Sequence, residues 1–318
     1  MNCVYRILEC AKRAKTKLTV GCVGALALAA AILISSPKTA TPESPLLPNN
    51  LPFANSSGLH ATFSTSGSID LRNEFFQNLG TNGRTCGTCH RAEEGWTITP
   101  AGIQARFNQT RGTDPIFRAN DGSNSPNADV STFKARRAAY SMLLTKGLIR
   151  VGIGIPNDAE FELVAVDDPY GFASATELSL FRRPLPSTNL KFLSTVMWDG
   201  RETFPGQTIH FDLSHQSNSA TTGHAQGADL TEQQRESIVA FETALFTAQI
   251  YDERAGRLPA RGAKGGPRHL ADQEFYLGIN DLFGDSKTGA PFDPIVFTIY
   301  DAWKGLSDKG QNRARAAV

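Results

Sequence analysis

A mainly α-helical fold with long loops and a few short strands is what this sequence predicts. Three features lead there: capped segments with an apolar stripe at helical spacing, wide stretches rich in Gly, Pro, Asn and Ser between them, and only brief strand-like runs. With 318 residues, 40% hydrophobic and 20% charged, the chain can bury a sizeable core. Thirty-two basic side chains against thirty-one acidic ones leave a net charge of +1, with no footprint for nucleic acid.

Residues 1–36 have the order of an export signal. Arg6, Lys12, Arg13, Lys15 and Lys17 precede the uncharged run "LTVGCVGALALAAAILI", which is followed by Ser35, Ser36 and Pro37. Its small Ala and Gly residues suit a cleaved signal, and its length suits an uncleaved inner-membrane anchor. Either way the remainder is expected to be exported, to the periplasm or beyond. Residues 37–67, rich in Pro, Ser, Thr and Asn, read as a linker, and residues 68–318 as the functional domain.

Within that domain "SIDLRNEFFQNLG" reads as a short helix, with Ile69, Phe76 and Leu79 on one face and Gly80 at its end. Thr99 and Pro100 open a helix reaching about Asn108. Ser131 caps another through about Thr145, stopped by Gly147. "LIRVGIGIP" and "FELVAV" read as strands. "TEQQRESIVAFETALFTAQIYDERAG" carries a capping box at Thr231 and Gln234, an apolar stripe of Ile238, Phe241, Leu245 and Ala248, and a stop at Gly256. Residues 257–269 read as a basic, glycine-rich loop, and "DPIVFTIYDAWKG" as a helix opened by Asp293 and Pro294. The closing "DKGQNRARAAV" looks like a helix at its start, as a partial chain would show.

Two cysteines lie outside the N-terminal run, in "RTCGTCHRAEEGW". Cys86, Cys89 and His90 form C-x-x-C-H, the attachment signature of c-type haem. Two thiols add to the vinyl groups of the porphyrin, and the following histidine reaches the iron as an axial ligand. A zinc site, a disulfide and a redox pair suit the motif less well. A structural zinc site needs four ligands, and no further cysteine pair exists. A disulfide across two residues constrains little of the unfolded chain and leaves His90 without a purpose. A thioredoxin-like pair sits between a strand and a helix, whereas a helical segment is expected ahead of this one.

The second axial position separates an electron carrier from an enzyme that activates an oxidant. Met142 and Met197 read as core residues. His60 falls in the linker and His269 in the basic loop. His210, His215 and His224 cluster in "TIHFDLSHQSNSATTGHAQG", and His224 is the preferred candidate for a place near the iron, as a distal ligand or an acid–base group.

At "STVMWDGRE" followed by "HQSNSATTGHAQG", and in the preceding "RRPLPSTNLKFLS", the chain resembles the bacterial dihaem cytochrome c peroxidase superfamily, from residue 68 to the end. That resemblance implies a cytochrome c-like haem domain with the start of a link to a second one. Cys86 and Cys89 would hold the peroxidatic haem and His90 would be its proximal ligand. Trp198 matches a tryptophan that helps electrons cross between haems. Gln216 and Gln226 keep the separation of a distal glutamine and glutamate, with Gln207 an alternative for the first. Hydrogen peroxide would be the substrate, a small redox protein the electron donor, and a second haem c and Ca2+ would accompany a C-terminal domain.

The departures are specific. Gln226 stands where the family has a glutamate and cannot exchange a proton as a carboxylic acid can. No histidine lies between positions 90 and 210, and no second C-x-x-C-H is present. The expectation is an exported haem-dependent oxidoreductase of peroxidase type. The alternatives are a monohaem electron carrier with His224 as sixth ligand, and a thiol-redox or disulfide-bearing protein without haem.

Overall fold

Strands occupy much of the segment that composition marks as a linker. The computed structural model describes residues 44–275, 282–284, 289–294 and 298–317, so the basic and apolar run read as a signal or anchor lies outside it. Four strands open the described part: β1 (Leu46–Pro48), β2 (Phe53–Asn55), β3 (Gly58–Ser64) and β4 (Ser68–Asp70). β1 pairs antiparallel with β4, and β2 pairs with β3. Of the residues that suggested a linker, Pro45, Pro48, Asn49, Asn50, Pro52 and Asn55 sit at the ends of these strands and in the turns between them. The apolar and β-branched residues of "LHATFS" make the ladder, and Ala61 and Thr62 are buried in it.

The loop of the C-x-x-C-H motif comes next, entered through a short 3-10 turn at Glu74–Phe76 rather than the longer helix expected there. Helix α1 (Pro100–Thr110) starts as expected, with the Thr99 hydroxyl accepting from Gly102 N at 3.1 Å. The next helix is two, α2 (Phe133–Ala139), capped by Thr132, and α3 (Ser141–Lys146), ended by Gly147 in the left-handed region. The break falls at Tyr140, whose hydroxyl donates to the Phe117 carbonyl at 2.9 Å in the core.

β5 (Ile149–Ile153) is where the sequence puts it, but "FELVAV" is not its partner. That partner is β6 (Leu178–Arg182), from Ile149 opposite Arg182 to Ile153 opposite Leu178. Residues 161–166 pack against little, with Phe161 67% and Val164 91% exposed, so no burial supports a strand there.

Helices α4 (Ile209–Gly223) and α5 (Glu232–Thr243) pack against one another. The capping box of α5 forms, with Gln234 N donating to Thr231 Oγ1 at 3.2 Å and Thr231 N to Gln234 Oε1 at 3.0 Å. The helix does not run on to Gly256. It ends at Thr243, and β7 (Leu245–Asp252) follows, paired with β3 along its length and with β8 (Gly256–Arg257) at its far end. "LFTAQIY" satisfies a two-residue period as well as a helical one, and the ladder offered by β3 decides between them.

Short helices α6 (Pro267–Ala271) and α7 (Gln311–Ala316) complete the elements, α7 lying in the stretch read as an opening helix. Of "DPIVFTIYDAWKG", residues 295–297 lie outside the described residues, and only a 3-10 turn at Asp301–Trp303 is seen. It buries Trp303 with Ala255, Leu258 and Ala263.

The mainly α, cytochrome c-like expectation is therefore corrected. About 30% of residues are helical and 15% lie in strands, in several antiparallel sheets, which is a mixed α/β fold. The helical expectation failed where tertiary pairing, invisible to local periodicity, turned amphipathic segments into strands. Three apolar clusters carry the core around the motif. Ile103, Phe107 and Leu143 centre the first, Phe75, Trp96 and Ile238 the second, and Leu190, Leu213 and Val239 the third.

Candidate cofactor site

The motif loop is built by its own backbone. Cys86–Thr88 form a 3-10 turn, and the Cys89 and His90 amides both donate to the Cys86 carbonyl, at 3.1 and 2.9 Å. Thr85 N donates to Thr88 Oγ1 at 2.9 Å and closes the turn on its other side. Gly87 is required inside it, because a Cβ there would meet the Phe76 ring at 2.6 Å.

This turn lets the two thiols straddle two cores. Cys86 packs against the Phe75–Trp96 cluster and Cys89 against the Phe107–Leu143 cluster. Both line one apolar cavity of about 500 Å³, together with His90. Both are free thiols. Burial pushes Cys86 up to about 12, with the Glu242 charge adding to it. Burial also pushes Cys89 up to about 11 against the opposing pull of Arg84. A thiol-redox pair needs a lowered thiolate pKa, so this environment opposes that alternative.

His90 is held by one ring nitrogen. Its Nδ1–H faces the Trp96 carbonyl at 2.9 Å and Ser187 Oγ at 3.0 Å. A carbonyl only accepts, so the proton sits on Nδ1 and Nε2 keeps its lone pair. The Trp96 carbonyl is aimed there by a left-handed backbone at Trp96, φ 62°, after the turn at Gly95. Burial pushes His90 down to about 4, with His224 nearby adding to the effect, so the imidazole is neutral at physiological pH. Phe75 meets its ring edge-on at 6.0 Å.

His224, at the C-terminal end of α4, lines the same cavity. Its Nδ1–H donates to Asp121 Oδ2 at 2.6 Å, which again leaves Nε2 as the basic nitrogen. Asp121 also accepts from Arg84, a guanidinium that further bonds the carbonyls of Pro115 and Ile116. Burial opposes ionisation of Asp121, but the bonds from His224 and Arg84 outweigh it and hold the carboxyl below its ordinary range. The two chain segments meet closely here: a Cβ at Gly80 would lie 2.0 Å from the Ala225 carbonyl oxygen.

The remaining expected residues divide. Gln216 lines the cavity, as does Trp198, which is 61% exposed and donates from Nε1 to the Arg183 carbonyl at 3.1 Å. Met197, read as core, packs against the Leu190 cluster and also reaches the cavity wall. Gln226 does not line it. It lies past the helix end in a left-handed conformation, its carbonyl accepting from Thr81 Oγ1 at 2.9 Å. Gln207 sits in the turn before α4, also away from the wall. His210 and His215 pair with Glu236 and Glu202, at 3.1 and 2.5 Å, outside the cavity lining. His60 is a buried β3 residue whose Nε2 lies 3.3 Å from the Ala92 carbonyl, a structural role.

Four wall residues have no motif to announce them: Arg84, Asp121, Ser187 and Glu242. Glu242 leaves one visible signal, a carboxylate four residues after Ile238 within the apolar stripe of α5. Asp121 leaves none, because it lies in a polar loop among many similar residues.

The residues fit a covalently held porphyrin. Both thiols and a singly oriented imidazole converge on an apolar space large enough for a flat macrocycle, and Arg182, Arg183 and Arg201 on its wall suit carboxylate arms. Among the described residues no group of three or more His, Cys, Asp or Glu could hold a separate metal ion. No family model, no curated protein and no solved structure matches this chain.

Proposed function

We propose that the chain is an exported c-type haem oxidoreductase of peroxidase type, with the haem bonded to Cys86 and Cys89 and ligated by His90. One observation carries the proposal: both thiols and a histidine with only Nε2 free line the same apolar cavity. When bound, haem supplies an iron that takes up peroxide and passes on electrons.

The chain's own groups support the rest. Trp96 and Ser187 hold the His90 ring and its tautomer. Asp121 orients His224 so that Nε2 can take and return a proton, the role for which Gln226 is unsuited. Gln216 offers an amide donor from the same helix. Trp198, exposed at the edge of the cavity, suits electron entry from a small redox protein. The site tests directly. Protein matured in a host that attaches c-type haem should show Soret absorbance and added mass on the peptide bearing Cys86 and Cys89, and Cys86→Ser with Cys89→Ser should lose both. Colourless wild-type protein from such a host sinks the proposal.

A second function has its own support. His90 and His224 are prepared alike, each with Nδ1 capped and Nε2 free, as a six-coordinate electron carrier requires. Low-spin ferric iron that binds cyanide slowly favours the carrier, and high-spin iron that binds it quickly favours the enzyme.

A further inference from the structure

We infer that residues 158–167 are the docking segment for the electron-delivering protein, and that this partner presents an apolar patch ringed by lysine and arginine. That role rests on the haem function proposed above. The segment belongs to the stretch 154–177, which joins β5 to β6. A hairpin connection needs only about 2–5 residues, and a loop this long within a compact fold is usually a functional one. Its roots are fixed. Ile155 N donates to the Ala175 carbonyl at 2.8 Å, and the Phe172 and Ala173 amides both donate to Asp168 Oδ2 at 2.6 Å. Between them, residues 160–167 make no hydrogen bond, ion pair or ring contact among the described residues. The fold holds the ends of the loop and leaves its middle to solvent.

Two properties of that middle describe what it meets. "FELVAV" is apolar enough to suggest a strand, yet Phe161, Val164 and Val166 are all exposed. Exposed apolar side chains gathered together inside a polar rim mark a protein contact. The rim has one sign. No Lys, Arg or His lies between Arg150 and Arg182, and none of the described ion pairs includes Asp158, Glu160, Glu162 or Asp167. A second copy would set these carboxylates against their own kind, and an anionic lipid surface would repel them. A protein with a basic rim is attracted and steered. The position suits electron delivery. Ile153 and Leu178 close the loop end of the β5–β6 ribbon, while Ile149, Val151 and Arg182 line the haem cavity. The ribbon is five residue pairs long, about 15 Å. Trp198, the exposed aromatic at the cavity edge, donates to the Arg183 carbonyl just past the cavity end of that ribbon.

The test uses haem-bearing protein, hydrogen peroxide and, as donor, a reduced small cytochrome whose haem edge is ringed by lysines. Glu160→Lys with Glu162→Lys should raise the KM for this donor by about tenfold or more. Its kcat, and its rate with a neutral small-molecule reductant, should stay at the wild-type values. Phe161→Ser with Val164→Ser should raise the same KM but keep the wild-type salt dependence, which separates the apolar contribution from the charged one. All four side chains are exposed, so neither variant endangers the fold. An unchanged KM in both variants overturns the inference. So does wild-type protein that sediments as a dimer and becomes monomeric in either variant, because the occupant is then a second copy. Absence of covalent haem or of peroxide turnover overturns the underlying function instead. Docking is then read separately, by NMR line broadening as the cytochrome is titrated with wild type and with each variant, and equal broadening by all three overturns the inference.

Discussion

His224 and Gln226 stand two residues apart, yet only the first reaches the cavity. Helix α4 ends at Gly223 with His224 as its cap, and the left-handed turn at Gln226 carries its side chain toward Asn82, whose Nδ2 lies 3.4 Å from its Oε1. The proposed function assigns the acid–base role to His224, so on that proposal His224→Ala should keep covalent haem and lower peroxide turnover by ~10²–10⁴, while Gln226→Ala should leave it near wild type. Stopped-flow mixing with hydrogen peroxide measures both. Glu242 carries a pH signature in the haem-free protein. Burial raises its carboxyl from 4.5 to about 8. Between those values the folded state keeps a proton that the unfolded state has released, so stability falls as pH rises across that window. Below it the loss is absent, and above about 8 it is complete. Denaturant unfolding as a function of pH should show that decline, and Glu242→Gln should flatten it. The motif residues were legible because C-x-x-C-H is a fixed local spacing, readable without knowledge of the fold. Asp121 and Ser187 were not, because a polar residue in a loop reveals its partner only once the chain has folded.

The junction of α5 and β7 shows what local pattern can and cannot decide. Thr231 and Gln234 announce a helix start without ambiguity, since capping chemistry is local. The helix end at Thr243 is not announced, because the following residues accept either period and the choice lies with β3, more than 180 residues earlier in the chain. That pairing also builds a buried hydroxyl network. Trp96 Nε1 donates to Thr62 Oγ1 at 2.9 Å, Thr62 meets Thr247 Oγ1 at 2.8 Å, and Thr188 meets Thr247 at 3.0 Å. The network ties the residue whose carbonyl holds His90 to the central sheet. Thr62→Val should leave the Trp96 N–H buried and unpaired, at a cost of about 1–3 kcal/mol in denaturant unfolding. Thr231→Ala, at an exposed cap, should cost about 1 kcal/mol and leave the haem spectrum unchanged.

Across the molecule, one buried ion pair holds the two histidine-bearing segments together. Arg84, just before the motif, bonds Asp121 and also the His224 carbonyl, and both partners of the pair are almost wholly buried. Asp121→Ala would strand the guanidinium in the core and should cost about 3–5 kcal/mol by denaturant midpoint, with His224 losing its fixed ring as well. Asp121→Asn keeps an acceptor and should cost less, so the pair of variants separates charge from hydrogen bonding. The sequence by itself determined the position of the C-x-x-C-H motif and the starts of α1 and α5, because motif spacing and helix caps depend on residues close together in the chain. Only the tertiary structure decided that residues 46–64 hold three strands, that β7 is not helix, and that His224 rather than Gln226 faces His90's cavity. Each of those outcomes depends on a partner distant in sequence, and burial and ladder hydrogen bonds are realised only when the two segments meet.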